Sequence, residues 1–296
     1  MTPRRLAINP LPWVLGPHGF DLSLQTLTPA LRELSAVGFD AVHADIPQGM
    51  TVDSYVDFIG GFGFRPAPGY FGGSFESREA RAETIESARV HAATQAALGL
   101  SEVFIASNLS GERIARPAIG TDPSAERLAV IAEIIAEAAE AMLGEGVRAA
   151  LHPHVGSWIE TEGEIRSVLD ATAGSVLGFG PDTGHITWAG GDAAALVRDY
   201  ADRVLALHVK DVDPVAAHAA LADGSDYFGA TMGHHVWTEP GRGCIDFDAV
   251  FAALPASFDG WFVIEVDVPN VGTAAESAAA SREFVLQTSY FSGAGE

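Results

Sequence analysis

Cysteine is almost missing from this chain: Cys244 is the only one in 296 residues. That excludes an intrachain disulfide and a thiolate metal cluster. Long apolar runs are missing as well. None approaches the roughly 20 residues needed to cross a bilayer, so no membrane partner is expected. Basic residues are few, 17 against 39 acidic ones, and the formal net charge is −22. Such a surface repels a phosphate backbone unless a basic stripe offsets it. The densest basic spot is Arg4–Arg5, so nucleic acid is not an expected partner. No Gly-x-Gly-x-x-Gly follows the first strand and no Gly-Lys-Ser/Thr occurs, which leaves a nucleotide cofactor without an obvious cradle. An export signal is not expected either. MTPRRLAINPLPWVLG has two arginines, but Pro10 and Pro12 interrupt its apolar part and no small-residue cleavage site follows. The expected location is the cytoplasm.

What is present is a repeated unit. Ala-rich amphipathic helices end at Gly and run straight into short apolar strands. In LTPALRELSAVGFDAVHAD, Thr28 is the expected cap, Pro29 the first turn and Gly38 the stop. The next repeat ends at Gly99. In the third, Asp122 is the expected cap, and Gly144 or Gly146 the end. Strands alternating with helices make parallel βαβ units. Eight strands are expected, starting near Leu6, Phe39, Phe62, Val103, Val147, Val176, Val204 and Trp261, with a last helix over about Thr273–Thr288. That count predicts an α/β fold, a single-domain (β/α)8 TIM barrel over 1–296. A long segment at about 212–240 after the seventh strand contains YFGATMGHHVW. Long barrel loops of this kind tend to close over a site.

In such a barrel the chemistry sits at the C-terminal ends of the strands. Strand five ends LHPHVGSWIET, with His152, His154, Trp158 and Glu160. Strand six ends at Asp182 and His185. Strand seven puts His208 and Lys210 on one face, and strand eight does the same with Glu265 and Asp267. Several acids gathered at one end repel one another, and a divalent cation resolves that conflict. Glu160, Asp182, His208 and Glu265 would supply three carboxylates and one imidazole, a set suited to Mn²⁺, Mg²⁺ or Co²⁺. An Asp before Thr-Gly also reads as a turn former or helix cap.

HPHVGSWIET, PDTGH, LHVKDV, EPGRGCIDF and WFVIEVD together resemble the xylose-isomerase-like sugar isomerase/epimerase superfamily, and within it the inosose dehydratase (2-keto-myo-inositol dehydratase) branch. The resemblance covers nearly the whole chain. It implies a TIM barrel with one divalent metal, Mn²⁺ or Co²⁺ first and Mg²⁺ or Zn²⁺ after them. It maps the metal ligands to Glu160, Asp182, His208 and Glu265, with His152 as the alternative to Glu160. The implied substrate is a small keto-sugar or inositol derivative, and such proteins often form homo-oligomers. Two positions depart from the pattern: Arg242 stands between Gly241 and Gly243, and Asp267 replaces a Glu.

The shared reaction is removal of a C–H proton next to a carbonyl through an enediolate. Glu265 or Glu160 is the expected base, with His154 and His185 as acids or substrate-orienting groups. Lys210 steadies the enolate charge. Trp13 and Trp158 wall the ring, and His152, Arg242 and Asp267 contact the substrate. Isomerisation or epimerisation is the first expectation and inosose dehydration the alternative. A non-catalytic sugar-binding barrel ranks below both. A DNA-repair endonuclease on the same barrel is excluded by the acidic charge.

Overall fold

The computed structural model describes residues 4–16 and 19–293; the two ends of the expected domain, 1–3 and 294–296, lie outside them. Eight strands form the barrel: β1 (Arg5–Ile8), β2 (Ala41–His43), β3 (Arg65–Ala67, resumed at Tyr70–Gly73), β4 (Glu102–Ser107), β5 (Arg148–Leu151), β6 (Gly178–Phe179), β7 (Ala206–Val209) and β8 (Trp261–Ile264). Each pairs in parallel with the next, and β8 pairs with β1. Single parallel bridges, Phe179 to Val204 and Asp182 to His208, join β6 to β7 and close the ring. This is the expected (β/α)8 TIM barrel. Among the described residues no helix is long and apolar enough to cross a membrane.

Period-two alternation sorts each strand into an outer and an inner row. Leu207, Val209, Phe262 and Ile264 pack outward under the helices. Ala206, Trp261 and Val263 point inward with Ala7, Ala41, Ala67, Phe104 and Ala150. Trp261 and Phe104 are the bulky members of this inner cluster, and most of the others are alanines. Small inner side chains leave room toward the C-terminal mouth, and there the inner row continues as His152, His208, Lys210, Glu265 and Asp267.

Local chemistry moves three boundaries. Helix Leu24–Val37 is capped by Ser23 rather than Thr28, and Pro29 lies inside it. Asp21 fixes that entry by accepting from the Ser23 amide and the Thr26 hydroxyl. Helix Ala125–Gly144 is capped by Ser124 rather than Asp122. Asp122 adopts φ +53° and pairs with Arg127 at 2.7 Å. The third strand begins at Arg65, not near Phe62, because Phe62 and Gly63 form the turn that ends helix Val52–Gly60. The helix expected to be last, Ala274–Gln287, carries a Thr273 capping box and is followed by one short helical turn, Ser289–Ser292.

Strand β3 bends at Pro68–Gly69, leaving β2 and joining β4. The Gly69 amide donates to Gln95 Oε1 at 3.0 Å. A Cβ on Gly69 would lie 2.8 Å from the Ala44 carbonyl oxygen and 2.6 Å from Gln95 Nε2. Gly69→Ala is therefore expected to cost about 1–3 kcal/mol by overpacking. A lower urea midpoint at unchanged slope is the readout, and an unchanged midpoint would mean the bend tolerates a side chain.

The segment after β7 has its own structure. Asp211–Val212 pairs antiparallel with Trp237–Thr238, and helix Pro214–Asp223 and a π-turn at Gly229–Gly233 lie between them.

Candidate functional site

At the C-terminal mouth lies a cavity of about 790 Å³, a size that accommodates small-molecule ligands. Its polar wall includes His152, His154, His208, Lys210, Glu265 and Asp267, all anticipated from the ends of strands five to eight. Leu11, Leu15, Phe20, Leu109, Phe228 and Met232 add apolar surface. The segment after β7 thus contributes to the cavity, through Tyr227, Phe228, Thr231 and Met232.

The PDTGH stretch explains itself residue by residue. The Pro181 carbonyl accepts the His208 amide at 2.9 Å, extending the β6–β7 contact. Asp182 is a helix cap with one oxygen to spare. Its Oδ1 caps helix Thr183–Trp188 by accepting the His185 amide at 2.8 Å, while Oδ2 is buried without a hydrogen-bond partner. The Thr183 hydroxyl accepts the Lys210 amide at 3.0 Å and donates to the Lys210 carbonyl at 2.6 Å. Gly184 lets the chains approach: a Cβ there would lie 2.9 Å from Lys210 Cγ and 3.1 Å from Trp237.

Asp182, His208 and Glu265 bring one ligand atom each within 4.8 Å of one another, and all three are buried. His208 Nδ1 stands 3.5 Å from Asp182 Oδ2 and 3.6 Å from Glu265 Oε2. Neither His208 nitrogen has a hydrogen bond, nor does His152 Nδ1. The His152 ring centroid is 4.7 Å from that of His208. Buried donors and acceptors are ordinarily satisfied. Asp182 Oδ2 and His208 Nδ1, both without a hydrogen bond and both close to Glu265, are what a cation site leaves, so these residues fit a divalent metal. His152, Asp182 and His185 form a second triad, with one ligand atom each within 4.8 Å of one another.

Lys210 is the only lysine in the chain. Its ammonium lies 2.8 Å from Glu265 Oε1, 2.5 Å from Asp267 Oδ1 and 4.2 Å from the Trp237 ring centroid. Burial opposes its charge, but Asp267 and Glu265 overcome that and raise its pKa well above the ordinary value. Burial also opposes ionisation of Glu265, yet Lys210 and His208 pull it well below the carboxylate range. Its Oε2 accepts from Asn9 Nδ2 at 2.7 Å. Burial pushes Asp182 and Asp267 the other way, each to about 6. Burial lowers His154 and His208 to about 4, so both imidazoles are neutral at pH 7. With Asp182, Glu265 and Asp267 ionised and Lys210 charged, two negative charges stay unbalanced, which matches a divalent cation.

Six anticipated residues do not line the cavity: Asp182 of the triad above, and Glu160, Trp13, Trp158, Arg242 and His185. Glu160 is fully buried, but its oxygens meet Arg113 at 2.9 Å and the amides of Ala118, Gly120 and Gly156. Arg113 also bridges Glu164 at 2.5 Å. Glu160 therefore ties together the loops after β4 and β5. Trp13 donates its indole N–H to Glu33, and Trp158 lies beneath Arg127, 3.7 Å from its ring centroid. Arg242 is exposed on a turn whose neighbouring amides, Gly241 and Gly243, are both held by Asp211 Oδ2. His185 is 0% exposed and packs behind His154, ring centroids 3.8 Å apart.

Other cavity residues were not anticipated. Asn9, His43, Ser107 and Asn108 line it from the ends of β1, β2 and β4. The strand-end rule that picked out strands five to eight also reaches these four, in LAIN, AVH and IASN. Tyr70, at the start of the resumed β3, and Asp45, on the loop after β2, join them.

A family model described as "Xylose isomerase-like TIM barrel" matches residues 31–287. The chain belongs to the xylose isomerase-like TIM barrel family. The rhizopine catabolism protein MocC of Rhizobium meliloti is 27% identical over 270 residues, 89% of this chain and 81% of MocC. An inosose dehydratase of Geobacillus thermodenitrificans is 31% identical over 146 residues, about half of each chain, at 49%. Among solved structures, an L-ribulose 3-epimerase superposes with TM-score 0.69 at 18% identity, covering 95% of this chain and 93% of its own. The zinc-bound IolI protein gives 0.68 at 17% identity, covering 98% of each. At these identities the structural matches show the barrel alone. The family match accords with the superfamily resemblance of the sequence motifs, and the inosose dehydratase branch recurs among the sequence relatives.

Proposed function

We propose that this protein is a metal-dependent dehydratase of a small keto-polyol of the inosose type. Isomerisation or epimerisation, ranked first from sequence, becomes the second reading. One observation carries the change of order. At the end of β5, His152 rather than a carboxylate faces the cavity, and Glu160 is held by Arg113. The end of β5 thus offers no carboxylate to work opposite Glu265, Glu265 is itself held by Lys210 and Asn9, and the cavity carboxylate outside the Lys210 pair, Asp45, lies beside His43. What the wall offers is a neutral imidazole and a lysine–aspartate pair.

Asp182, His208 and Glu265, with His152 beside them, would hold the divalent ion; the structural neighbour IolI is itself described with a bound zinc atom. A divalent ion held there would supply Lewis-acid polarisation of the substrate's carbonyl oxygen. A neutral base on the cavity wall takes the adjacent proton. The Lys210 ammonium sits where negative charge grows on the oxygen, and low local dielectric strengthens that interaction. The Lys210–Asp267 pair carries the proton that follows the departing β-hydroxyl. Tyr227 and Phe228 give the ring apolar surface and exclude water.

Incubation with scyllo-inosose and Mn²⁺ or Co²⁺ tests this. The expected result is loss of one water by mass spectrometry and a conjugated dione absorbance. Recovery of an isomer of unchanged mass would reverse the order of the two readings. Asp267→Asn is expected to slow water loss by about 10²-fold while α-proton exchange continues.

A further inference from the structure

His154 and His185 are stacked, and the backbone of one residue touches both. The Val155 amide donates to His185 Nδ1 at 3.1 Å. The Val155 carbonyl lies 2.7 Å from His154 Nδ1. An amide N–H needs a lone pair, and a carbonyl needs a proton. In neutral imidazole one nitrogen bears the proton and the other the lone pair, and the partner of one nitrogen fixes the state of the other. The two contacts therefore dictate opposite tautomers. His185 is protonated on Nε2, and His154 is protonated on Nδ1.

We infer that the Val155 peptide sets a fixed pair of imidazoles, with His154 Nε2 as the proton-accepting atom of the cavity and His185 Nε2–H as a donor that cannot ligate a metal. The base role rests on the proposed keto-polyol reaction; the tautomers do not. His154 lines the cavity, and among the described residues its Nε2 makes no hydrogen bond. The expected bases, Glu265 and Glu160, have their oxygens engaged by Lys210, Asn9 and Arg113. His154 Nε2 is an unengaged lone pair on that wall. Taking a proton there makes the imidazolium, whose Nδ1–H still donates to the Val155 carbonyl, so the charged form is held in the same pose.

His185 is assigned differently. Its Nδ1 lone pair is used by an amide, and its Nε2 is buried without a partner. The same cluster holds Asp182 Oδ2, a buried acceptor also without one. His185 is thus a positioning residue for Asp182, which it already contacts through its own amide at 2.8 Å. This decides between the two candidate triads. The metal belongs with Asp182, His208 and Glu265, not with the triad that includes His185.

Long-range ¹H–¹⁵N correlation spectra of histidine-labelled protein read tautomers directly, with His154→Gln and His185→Gln assigning the two rings. The expected spectrum shows His154 with its proton on Nδ1 and His185 with its proton on Nε2. Added Zn²⁺ should shift the His208 signals and leave the His185 Nε2–H in place. A reversed tautomer at either ring, or a metal shift at His185 Nε2, overturns the inference. The wild-type spectrum alone must contain both neutral forms, so an unfolded variant does not remove the test. For the base role, His154→Gln is expected to slow deuterium exchange at the α-carbons of scyllo-inosose by about 10²–10⁴-fold. Exchange that survives in His154→Gln removes that role. Wild-type protein that exchanges nothing sinks the proposed reaction, and the spectra still decide the tautomers.

Discussion

Asp182→Asn protein, purified without chelator, is expected to hold less than about a tenth of the wild-type metal, because losing a ligand should exceed the roughly 10–100-fold cost of an outer-shell change. Asn keeps the helix cap, since its side-chain oxygen still accepts the His185 amide, so the fold should survive. What it removes is the anionic oxygen facing His208 and Glu265. Plasma mass spectrometry gives the metal per chain, and turnover should fall with it. A wild-type protein that takes up neither Mn²⁺ nor Co²⁺ would leave the orphaned atoms around His208 without this explanation. The pH dependence has a definite sign. Burial raises Asp182 to about 6, above its ordinary value, so this group favours the metal-free fold at low pH and that contribution is lost as pH rises through about 6. Metal must displace the proton to bind. The rise in Tm on adding metal should therefore be larger near pH 7.5 than near pH 5.

Glu160→Gln is expected to destabilise the protein by about 3–5 kcal/mol while leaving metal content unchanged. Glu160 is 0% and Arg113 1% exposed, and three backbone amides point at the same carboxylate. A neutral amide in its place turns an NH₂ toward donors and leaves the guanidinium with Glu164 alone. Thermal unfolding should fall by on the order of 10 °C, at about 2–4 °C per kcal/mol for a chain approaching this size. The two variants separate the roles cleanly. Asp182→Asn should lose metal and keep its fold, whereas Glu160→Gln should keep metal and lose stability. Metal lost in Glu160→Gln at temperatures where the protein is folded would return Glu160 to the ligand set.

Much of this was legible in the chain because it is local. Helix stops at Gly38 and Gly99, and the start of the expected last helix near Thr273, follow from φ preferences and side-chain hydrogen bonds within a turn. Eight alternating units specify a barrel, since parallel strands need crossovers and the ring leaves no open edge. Period two then places His208 with Lys210, and Glu265 with Asp267, on the inner row. Where the strand stops, that rule stops too. β5 ends at Leu151, so His152 still faces inward, but Glu160 lies beyond any register. Its environment is chosen by Arg113, far off in the sequence on the loop after β4. The same holds for Trp13, Trp158 and Arg242, whose partners come from loops with no period to read. The caps at Ser23 and Ser124 lie between these cases: the hydroxyls are in the sequence, but Asp21 and Arg127 decide which one is used. The residue types at the strand ends thus come from the sequence. Which carboxylate is left free to meet a metal, and which imidazole keeps a free lone pair, depends on groups brought together only by closing the barrel.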